Sequence, residues 1–311
     1  MAEVLGLDTS NYTTSTARWQ DGVITQQKKL LPVQHGQLGL RQSDAVFHHV
    51  QQLPDLLEVL LADKPLHELR AVGCSTRPRS IEGSYMPCFT VGHGTARALA
   101  AACGVPLYAF SHQQGHIAAA LWSANRLDLL GQRFLAFHVS GGTTEAVLIA
   151  PQGEDPFCAT LCAQSLDLKG GQAVDRVGKL LGLPFPAGPA LEALAAQAQQ
   201  SFHVRPSMKG ADCSLSGIEN RCKRMAVDGV PAPDIARFCL DSILAALDAM
   251  AAALLREYPG LPIVFAGGVM SNAYLRSALE EKYAACFAAP AFSADNAAGV
   301  AVLAAWKEGL L

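Results

Sequence analysis

The chain has 311 residues, 50% of them hydrophobic and 16% charged, with a formal net charge of -3 at pH 7. That length exceeds what one core usually holds, so two intimately joined domains are expected. The weak negative charge excludes a protein that coats nucleic acid by bulk electrostatics, while leaving room for a local basic patch. Nine cysteines scattered from Cys74 to Cys286 without a C-x-x-C pair argue against a disulfide framework and against a structural zinc cluster. The start leads directly into a strand and no run of about eighteen unbroken apolar residues follows, so a cytoplasmic protein with no membrane contact is expected.

In chain order, Val4 to Leu7 reads as a strand entering the hydroxyl-rich turn Asp8-Thr9-Ser10-Asn11-Tyr12-Thr13-Thr14, with a second strand running to Ala17. A glycine-containing loop, Gly36 to Leu40, precedes a helix predicted over Asp44 to Leu61 from the spacing of Val46, Val50, Leu53, Leu56, Leu57 and Leu60. Ala71 to Cys74 and Gly104 to Phe110 read as strands on either side of a small-residue helix, Cys88 to Ala102, which makes a β–loop–α–β unit. Ser111 stands as an N-cap ahead of the alanine-rich run Ile117 to Ser123. Phe134 to Ala150 is a second hairpin, turning at Ser140-Gly141-Gly142-Thr143-Thr144. Lys169 to Asp175 leads a short helix ending near Leu183, and Pro184 to Pro189 reads as a rigid non-helical turn. A long apolar helix covers Asp234 to Tyr258, and the strand Leu261 to Ala266 feeds Gly267-Gly268-Val269-Met270-Ser271-Asn272 and a helix from Ala273. Ser293-Ala294-Asp295-Asn296 precedes a last helix, Ala297 to Lys307, placed to pack back on the first lobe.

Two hairpins of one design, each opening a half of the chain, suggest two similar lobes facing across a cleft. Glycines strip side chains from the turn's N–H groups and let a phosphate approach them closely. On that reading Ser140, Gly141 and Gly142 contact a nucleotide, with Gly267, Gly268 and Asn272 contributing from the strand–turn–helix. Asp175 is placed to bond ribose hydroxyls, and Lys169 or Lys179 to meet phosphate. The turn hydroxyls of Thr9, Ser10 and Thr143 are the candidate catalytic groups. His112 and His116 lie four apart on one helical face, about 5–6 Å between their Cβ atoms. They read either as filler or as two ligands of one metal, with Asp295 the best third. Two imidazoles and a carboxylate suit catalytic zinc or non-haem iron. H-Q-Q-G-H lacks the glutamate of H-E-x-x-H, so no peptidase base is evident. Arg221, Lys223 and Arg224 read as a solvated basic face, with phosphate contact the lesser reading.

Taken together, G-L-D-T-S at Gly6 to Ser10, G-V-P-L-Y-A-F-S-H-Q-Q-G-H at Gly104 to His116 and V-S-G-G-T-T at Val139 to Thr144 resemble the TsaD-type proteins that make tRNA threonylcarbamoyladenosine. The resemblance continues through G-Q-A-V-D-R-V-G-K-L-L-G-L-P-F-P-A-G-P from Gly171 to Pro189, S-L-S-G-I at Ser214, G-G-V-M-S-N at Gly267 and A-D-N-A-A at Ala294. It implies an α/β, two-lobed fold of the actin-like, sugar-kinase-like and heat-shock-ATPase (ASKHA) kind. Lobe I would comprise residues 1–128, completed by the C-terminal helix within 294–311, and lobe II residues 129–293. It further implies a divalent metal (zinc or iron, with magnesium the other option) on His112, His116 and Asp295. ATP or an acyl-adenylate would sit against Ser140, Gly141, Gly142, Asp175, Gly188 and Asn272. The acceptor would be a tRNA adenosine, and small partner proteins of the threonylcarbamoylation machinery would assist.

The departures fall on substrate positions. Tyr12 and Thr13 stand where the family usually has an acidic pair, Thr143 replaces its histidine or asparagine, and Gln172 replaces its glutamate. Leu38 to Asp44 and Thr76 to Ser80 depart from the usual Y-G-G-V-V-P-E and T-x-G-P-G. The expected function is therefore a threonylcarbamoyl-transferase-like enzyme or a divergent paralogue. The alternatives are a small-molecule carbamoyltransferase and a non-catalytic nucleotide-binding partner subunit.

Overall fold

The computed structural model describes residues 2–10, 12–32, 40–62, 65–153, 155–293 and 297–311. The chain divides into two compact units, one of Met1–Gly131, Pro151–Cys158 and Ala291–Leu311, the other of Gln132–Ala150 and Ala159–Pro290.

The first unit runs β1 (Glu3–Thr9), β2 (Thr13–Gln20), β3 (Val23–Leu30), α1 (Gln42–Leu61), β4 (Leu69–Arg77), α2 (Phe89–Cys103), β5 (Leu107–Ser111) and α3 (His112–Ser123). The chain then forms β6 (Phe134–Val139), β7 (Thr144–Gln152), β8 (Asp155–Gln164), α4 (Gly170–Leu180), α5 (Gly188–Ala195), β9 (Ser207–Lys209), β10 (Asp212–Ser214), α6 (Ser216–Val227), α7 (Ala232–Glu257), β11 (Ile263–Ala266), α8 (Ala273–Tyr283) and β12 (Cys286–Phe287). It returns to the first unit with α9 (Ala298–Lys307).

The two main sheets share one plan. The first has the order β3-β2-β1-β4-β5 and the second β12-β11-β6-β7-β8. In each, a central strand pairs antiparallel with the next strand in sequence (β1 with β2, β6 with β7) and parallel with a later one (β1 with β4, β6 with β11). Later strands of the parallel half, β5 and β12, extend the edge. A parallel neighbour needs a crossover, which is why helices intervene there and a tight turn suffices on the antiparallel side.

Both turns fall at the same register. Thr9 pairs with Thr14 and Val139 with Thr144, so each loop has four residues, beginning with serine and ending with threonine. On the first sheet Glu3 and Arg18 form an ion pair of 2.7 Å, both buried. They sit on one face of the β1–β2 ladder, where each neutralises a charge that burial alone would penalise. Helix α9 is almost wholly apolar and buried, and packs on β1, β4 and α3. It crosses α3 at Gly299 and Gly115, where a Cβ on Gly299 would overlap the Gly115 carbonyl. The second core joins Phe137, Phe265 and Phe287 to Leu240, Ile243, Leu247 and Met250 of α7. By length and composition α7 is apolar enough to cross a membrane, and its buried positions are spent in this core.

Several elements differ from the sequence expectation. β3, V-I-T-Q-Q-K-K-L, is an edge strand exposed along most of its length, so no apolar alternation marks it. α5 starts at Gly188 inside the stretch expected to be non-helical, because a proline in the first turn lacks an N–H that would have no partner there anyway. The face α1 buries is Ala45, His49, Gln52, Leu53, Leu56 and Leu60, whereas Val50 is 55% exposed. Two polar side chains take the place of the expected valines, because they hydrogen-bond into the first turn. The loop expected at Gly36 to Leu40 lies, save for Leu40, outside the described residues.

Candidate functional site

In the first unit the site begins with a helix cap. Ser111 Oγ accepts from the Gln114 N–H at 3.2 Å while Gln114 Oε1 accepts from the Ser111 N–H at 2.8 Å. This reciprocal capping box starts α3 at His112 and puts His116 one turn further on the same face. The two rings approach with their Nε2 atoms 2.9 Å apart. His112 Nδ1 is 2.8 Å from Asp8 Oδ2, and Asp8 is 1% exposed. A carboxylate accepts only, so the proton between them resides on His112 Nδ1. Phe89 lies against the His112 ring, with centroids 6.0 Å apart. Asp295, the third ligand expected from the sequence, lies outside the described residues. Among the described residues no group of three His, Cys, Asp or Glu side chains is disposed as a metal set. The neighbouring thiols are inert: burial raises Cys74 to about 12 and Cys88 to about 11, and the Asp8 charge adds to both.

The turn that follows Asp8 is tied down from several sides. Asp8 Oδ1 accepts from the Ser10 N–H at 3.0 Å. Thr9 Oγ1 donates to the Cys88 carbonyl at 2.9 Å and accepts from the Gly92 N–H at 3.0 Å, so this hydroxyl staples β1 to the start of α2. Ser10 is 2% exposed and its Oγ has no hydrogen-bond partner among the described residues. The Ser10 carbonyl accepts from His49 Nε2 at 2.8 Å, and His49 Nδ1 lies 2.8 Å from Thr14 Oγ1. Burial holds the His49 ring below the ordinary imidazole value, against the upward pull of the Ser10 carbonyl and the Asp8 charge.

The second unit presents its turn differently. The Ser140 N–H donates to the Thr143 carbonyl at 2.7 Å and Ser140 Oγ accepts from the Thr143 N–H at 3.2 Å, which closes the loop. The Gly171 N–H donates to the Ser140 carbonyl at 3.0 Å, and Thr144 Oγ1 accepts from the Gly170 N–H at 2.8 Å. The start of α4 therefore lies directly under the turn, and a Cβ on Gly171 would stand 2.6 Å from the Gly141 nitrogen. Gly141 and Gly142 are exposed, and a Cβ on either would meet nothing within 4 Å. Gly267, at φ +101°, presses on the Val139 carbonyl, so its glycine answers a packing need, while Gly268 is exposed to open space. Asn272 caps α8, its Oδ1 accepting from the Leu275 N–H at 3.0 Å.

Asp175 holds the chain ahead of Gly188 in place, its Oδ1 accepting from the Ala187 N–H at 2.9 Å. It also lines a cavity of about 280 Å³ with Lys179, Leu183, Pro184 and Phe185. Lys169 Nζ donates to the Ser165 carbonyl at 2.9 Å, and Gln172 Oε1 accepts from the Lys169 N–H at 3.2 Å. Ser216, in the S-L-S-G-I segment, donates to Asp167 Oδ2 at 2.6 Å. The second unit thus gathers Ser140 to Thr144, Gly170, Gly171 and the Gly267 turn around the end of β6, and sets Asp175 and Gly188 together further along α4. Asp8, His49 and Gln52 were not singled out in the sequence. The spacing of Ala45, His49, Leu53, Leu56 and Leu60 is the signal that marks His49, and it is as helical as the spacing of Val46 and Val50.

These two sheets and their crossovers define an α/β protein of the ASKHA fold. Component A of the (R)-2-hydroxyglutaryl-CoA dehydratase of Acidaminococcus fermentans superposes over 100% of this chain and 99% of its own, with a TM-score of 0.54 at 15% identity. Full-length HypF superposes over 99% of this chain, which spans 55% of HypF, with a TM-score of 0.57 at 14% identity. The sequence places the chain more narrowly. Residues 23–302 match the model of the TsaD family, tRNA N6-adenosine threonylcarbamoyltransferase, and the chain belongs to that family. The tRNA N6-adenosine threonylcarbamoyltransferase of Brucella canis is 33% identical over 328 residues, covering 96% of this chain and 88% of its own. That of Brucella melitensis is 34% identical over 276 residues, covering 81% and 73%. The family is one of transferases, not peptidases.

Proposed function

We propose that this chain transfers a threonylcarbamoyl group from threonylcarbamoyl-AMP to N6 of a tRNA adenosine, with a divalent metal on His112, His116 and Asp295 and the nucleotide against the second unit's turn. The observation that carries it is the facing pair of imidazole Nε2 atoms, 2.9 Å apart, with Asp8 on the far nitrogen of His112. The two imidazole nitrogens are close enough to be held by one ion, so His112 and His116 would be its ligands. The carboxylate on Nδ1 is the usual outer partner of a ligating histidine. Imidazole donors favour zinc or non-haem iron over magnesium. When bound, such an ion would supply a Lewis acid that takes up developing charge.

The chain's own residues supply the rest. Asp8 keeps a proton on His112 Nδ1 and leaves Nε2 as the nitrogen that would bind the ion. The exposed backbone of Gly141 and Gly142, with the start of α4 beneath it, is the proposed contact for the donor's phosphate. In the transfer N6 attacks the carbamoyl carbon, the bond from that carbon to the phosphate oxygen breaks, AMP leaves and N6 loses one proton. Of the turn hydroxyls, Thr143 is the candidate for contact with the donor; Thr9 is committed to α2 and Ser10 Oγ is buried. The reaction is placed in the cytoplasm, with small partner proteins assisting. Tyr12, 41% exposed where the family usually has a carboxylate, favours a second reading in which the acceptor has changed to a small molecule or the chain serves as a silent nucleotide-binding subunit.

The test is incubation of the purified protein with threonylcarbamoyl-AMP and unmodified tRNA, with and without a partner-containing extract, reading nucleosides by mass spectrometry. Threonylcarbamoyladenosine in proportion to protein, lost in His112→Ala, is expected. Its absence while AMP still binds would move the assignment to the second reading.

A further inference from the structure

A histidine and a glutamine in the buried face of a helix are an expense that leucines would avoid, because each polar atom taken from water must find a partner. In α1 both do. His49 is 0% exposed and Gln52 7%. His49 Nε2, facing a carbonyl that can only accept, donates to Ser10 O at 2.8 Å. Its Nδ1 meets Thr14 Oγ1, which also lies 2.9 Å from Gln52 Oε1. These two contacts clamp the β1–β2 turn at its first residue and at the residue just past its end. From Ser10 the contacts continue without a gap: the Ser10 N–H reaches Asp8 Oδ1 at 3.0 Å, Asp8 Oδ2 meets His112 Nδ1 at 2.8 Å, and His112 Nε2 faces His116 Nε2 at 2.9 Å.

We propose that His49 is a positioning residue for the His112–His116 pair, acting through the Ser10 backbone, which is held on both sides of its Cα, and the Asp8 carboxylate. By holding the Ser10 carbonyl it restrains rotation at the Ser10 Cα, on whose other side the preceding peptide presents the Ser10 N–H to Asp8. Asp8 then has one oxygen held and the other aimed at His112 Nδ1, which sets the tautomer and ring angle of His112. Thr9 fastens the same strand end to α2 without touching this line. His49 touches neither histidine, so its effect passes through geometry alone. The inference rests on the metal reading of the pair, but its first readout needs no metal.

The experiment compares the full-length wild type with His49→Leu, His49→Gln, Asp8→Asn and the double variant His49→Leu/Asp8→Asn. Imidazole nitrogen shifts of His112 are recorded in the metal-free protein, and zinc affinity is measured by competition with a chromophoric chelator. In the wild type His112 is expected as the Nδ1–H tautomer. In His49→Leu it becomes a mixture of tautomers, and zinc affinity falls about tenfold, the low end for loss of an outer partner. His49→Gln, whose amide can donate to the Ser10 carbonyl, keeps most of both. The double variant binds zinc no worse than Asp8→Asn alone, because the two residues act in series. Unchanged His112 shifts in a folded His49→Leu protein, or losses that multiply in the double variant, would overturn the proposal. If His49→Leu does not fold, His49→Gln is set against His49→Asn, which is too short to reach Ser10, and equal shifts in those two would overturn it. If the wild type takes up no zinc, the metal reading fails by itself while the His112 tautomer still decides the role of His49.

Discussion

The loops Ser10-Asn11-Tyr12-Thr13 and Ser140-Gly141-Gly142-Thr143 close the same register in the two sheets, yet they are finished in opposite ways. The first is built around side chains: Asp8, Ser10, Thr13 and Thr14 are buried, and the strand end is bonded to α1, α2 and α3. The second is built around backbone: its two glycines are exposed and α4 begins directly beneath them. One plan is thus finished in two ways. Filling a turn with hydrogen-bonding side chains makes it a bracket for histidines, and emptying it of side chains leaves N–H groups open to an anion.

The sharpest way to break this contrast is within the second turn. Gly171→Ala would drive a Cβ into the Gly141 nitrogen, and unfolding in urea should show a loss of about 1–3 kcal/mol, the usual penalty of overpacking. Gly141→Ala meets only open space with no left-handed backbone to strain, so stability should stay within about 0.5 kcal/mol. If the turn holds a phosphate as proposed, AMP affinity should nonetheless fall, since the methyl group would stand in its way.

A second comparison sets the paired threonines against each other. Thr144→Val would strand the Gly170 N–H, and Thr14→Val the bonds to His49 and Gln52, each at about 1–3 kcal/mol in chemical denaturation. The two should part on binding, with AMP weakened by the first and zinc by the second.

A third uses acid. Because burial depresses the His49 pKa in the folded protein, the unfolded chain takes up a proton below about 6.5 that the folded chain refuses. Stability should therefore fall as pH drops from 7 through 5, and His49→Gln should flatten that limb. An unchanged slope would mean that His49 takes up its proton alike in the folded and unfolded states. The smallest effect belongs outside both turns: Glu219→Gln cuts the surface pairs to Arg176 and Lys223, and should move stability by no more than about 0.5 kcal/mol.

Much of this site was legible in the sequence because local chemistry writes it: Ser111 with Gln114 starts a helix, and His112 and His116 follow at one-turn spacing. Both turns announced themselves through their small and hydroxyl residues. What stayed hidden depends on partners distant in the chain. Thr9 reads as an available hydroxyl until Cys88 and Gly92 are seen to occupy it. His49 looks like a polar interruption among valines and leucines, and only the position of Ser10 makes it the buried face. Asn272 reads as a ligand contact, and its oxygen serves the helix that follows. Strand β3 escapes because an exposed edge carries no apolar alternation.

The central claim is that the two turns divide the work, and one paired titration tests it. Zinc and AMP affinities would be measured on Asp8→Asn and on Gly142→Val, each confirmed folded. The account predicts a crossed pattern: Asp8→Asn loses zinc and keeps AMP, while Gly142→Val loses AMP and keeps zinc. If each variant loses both ligands, or neither loses either, the division of labour drawn from the two turns is wrong.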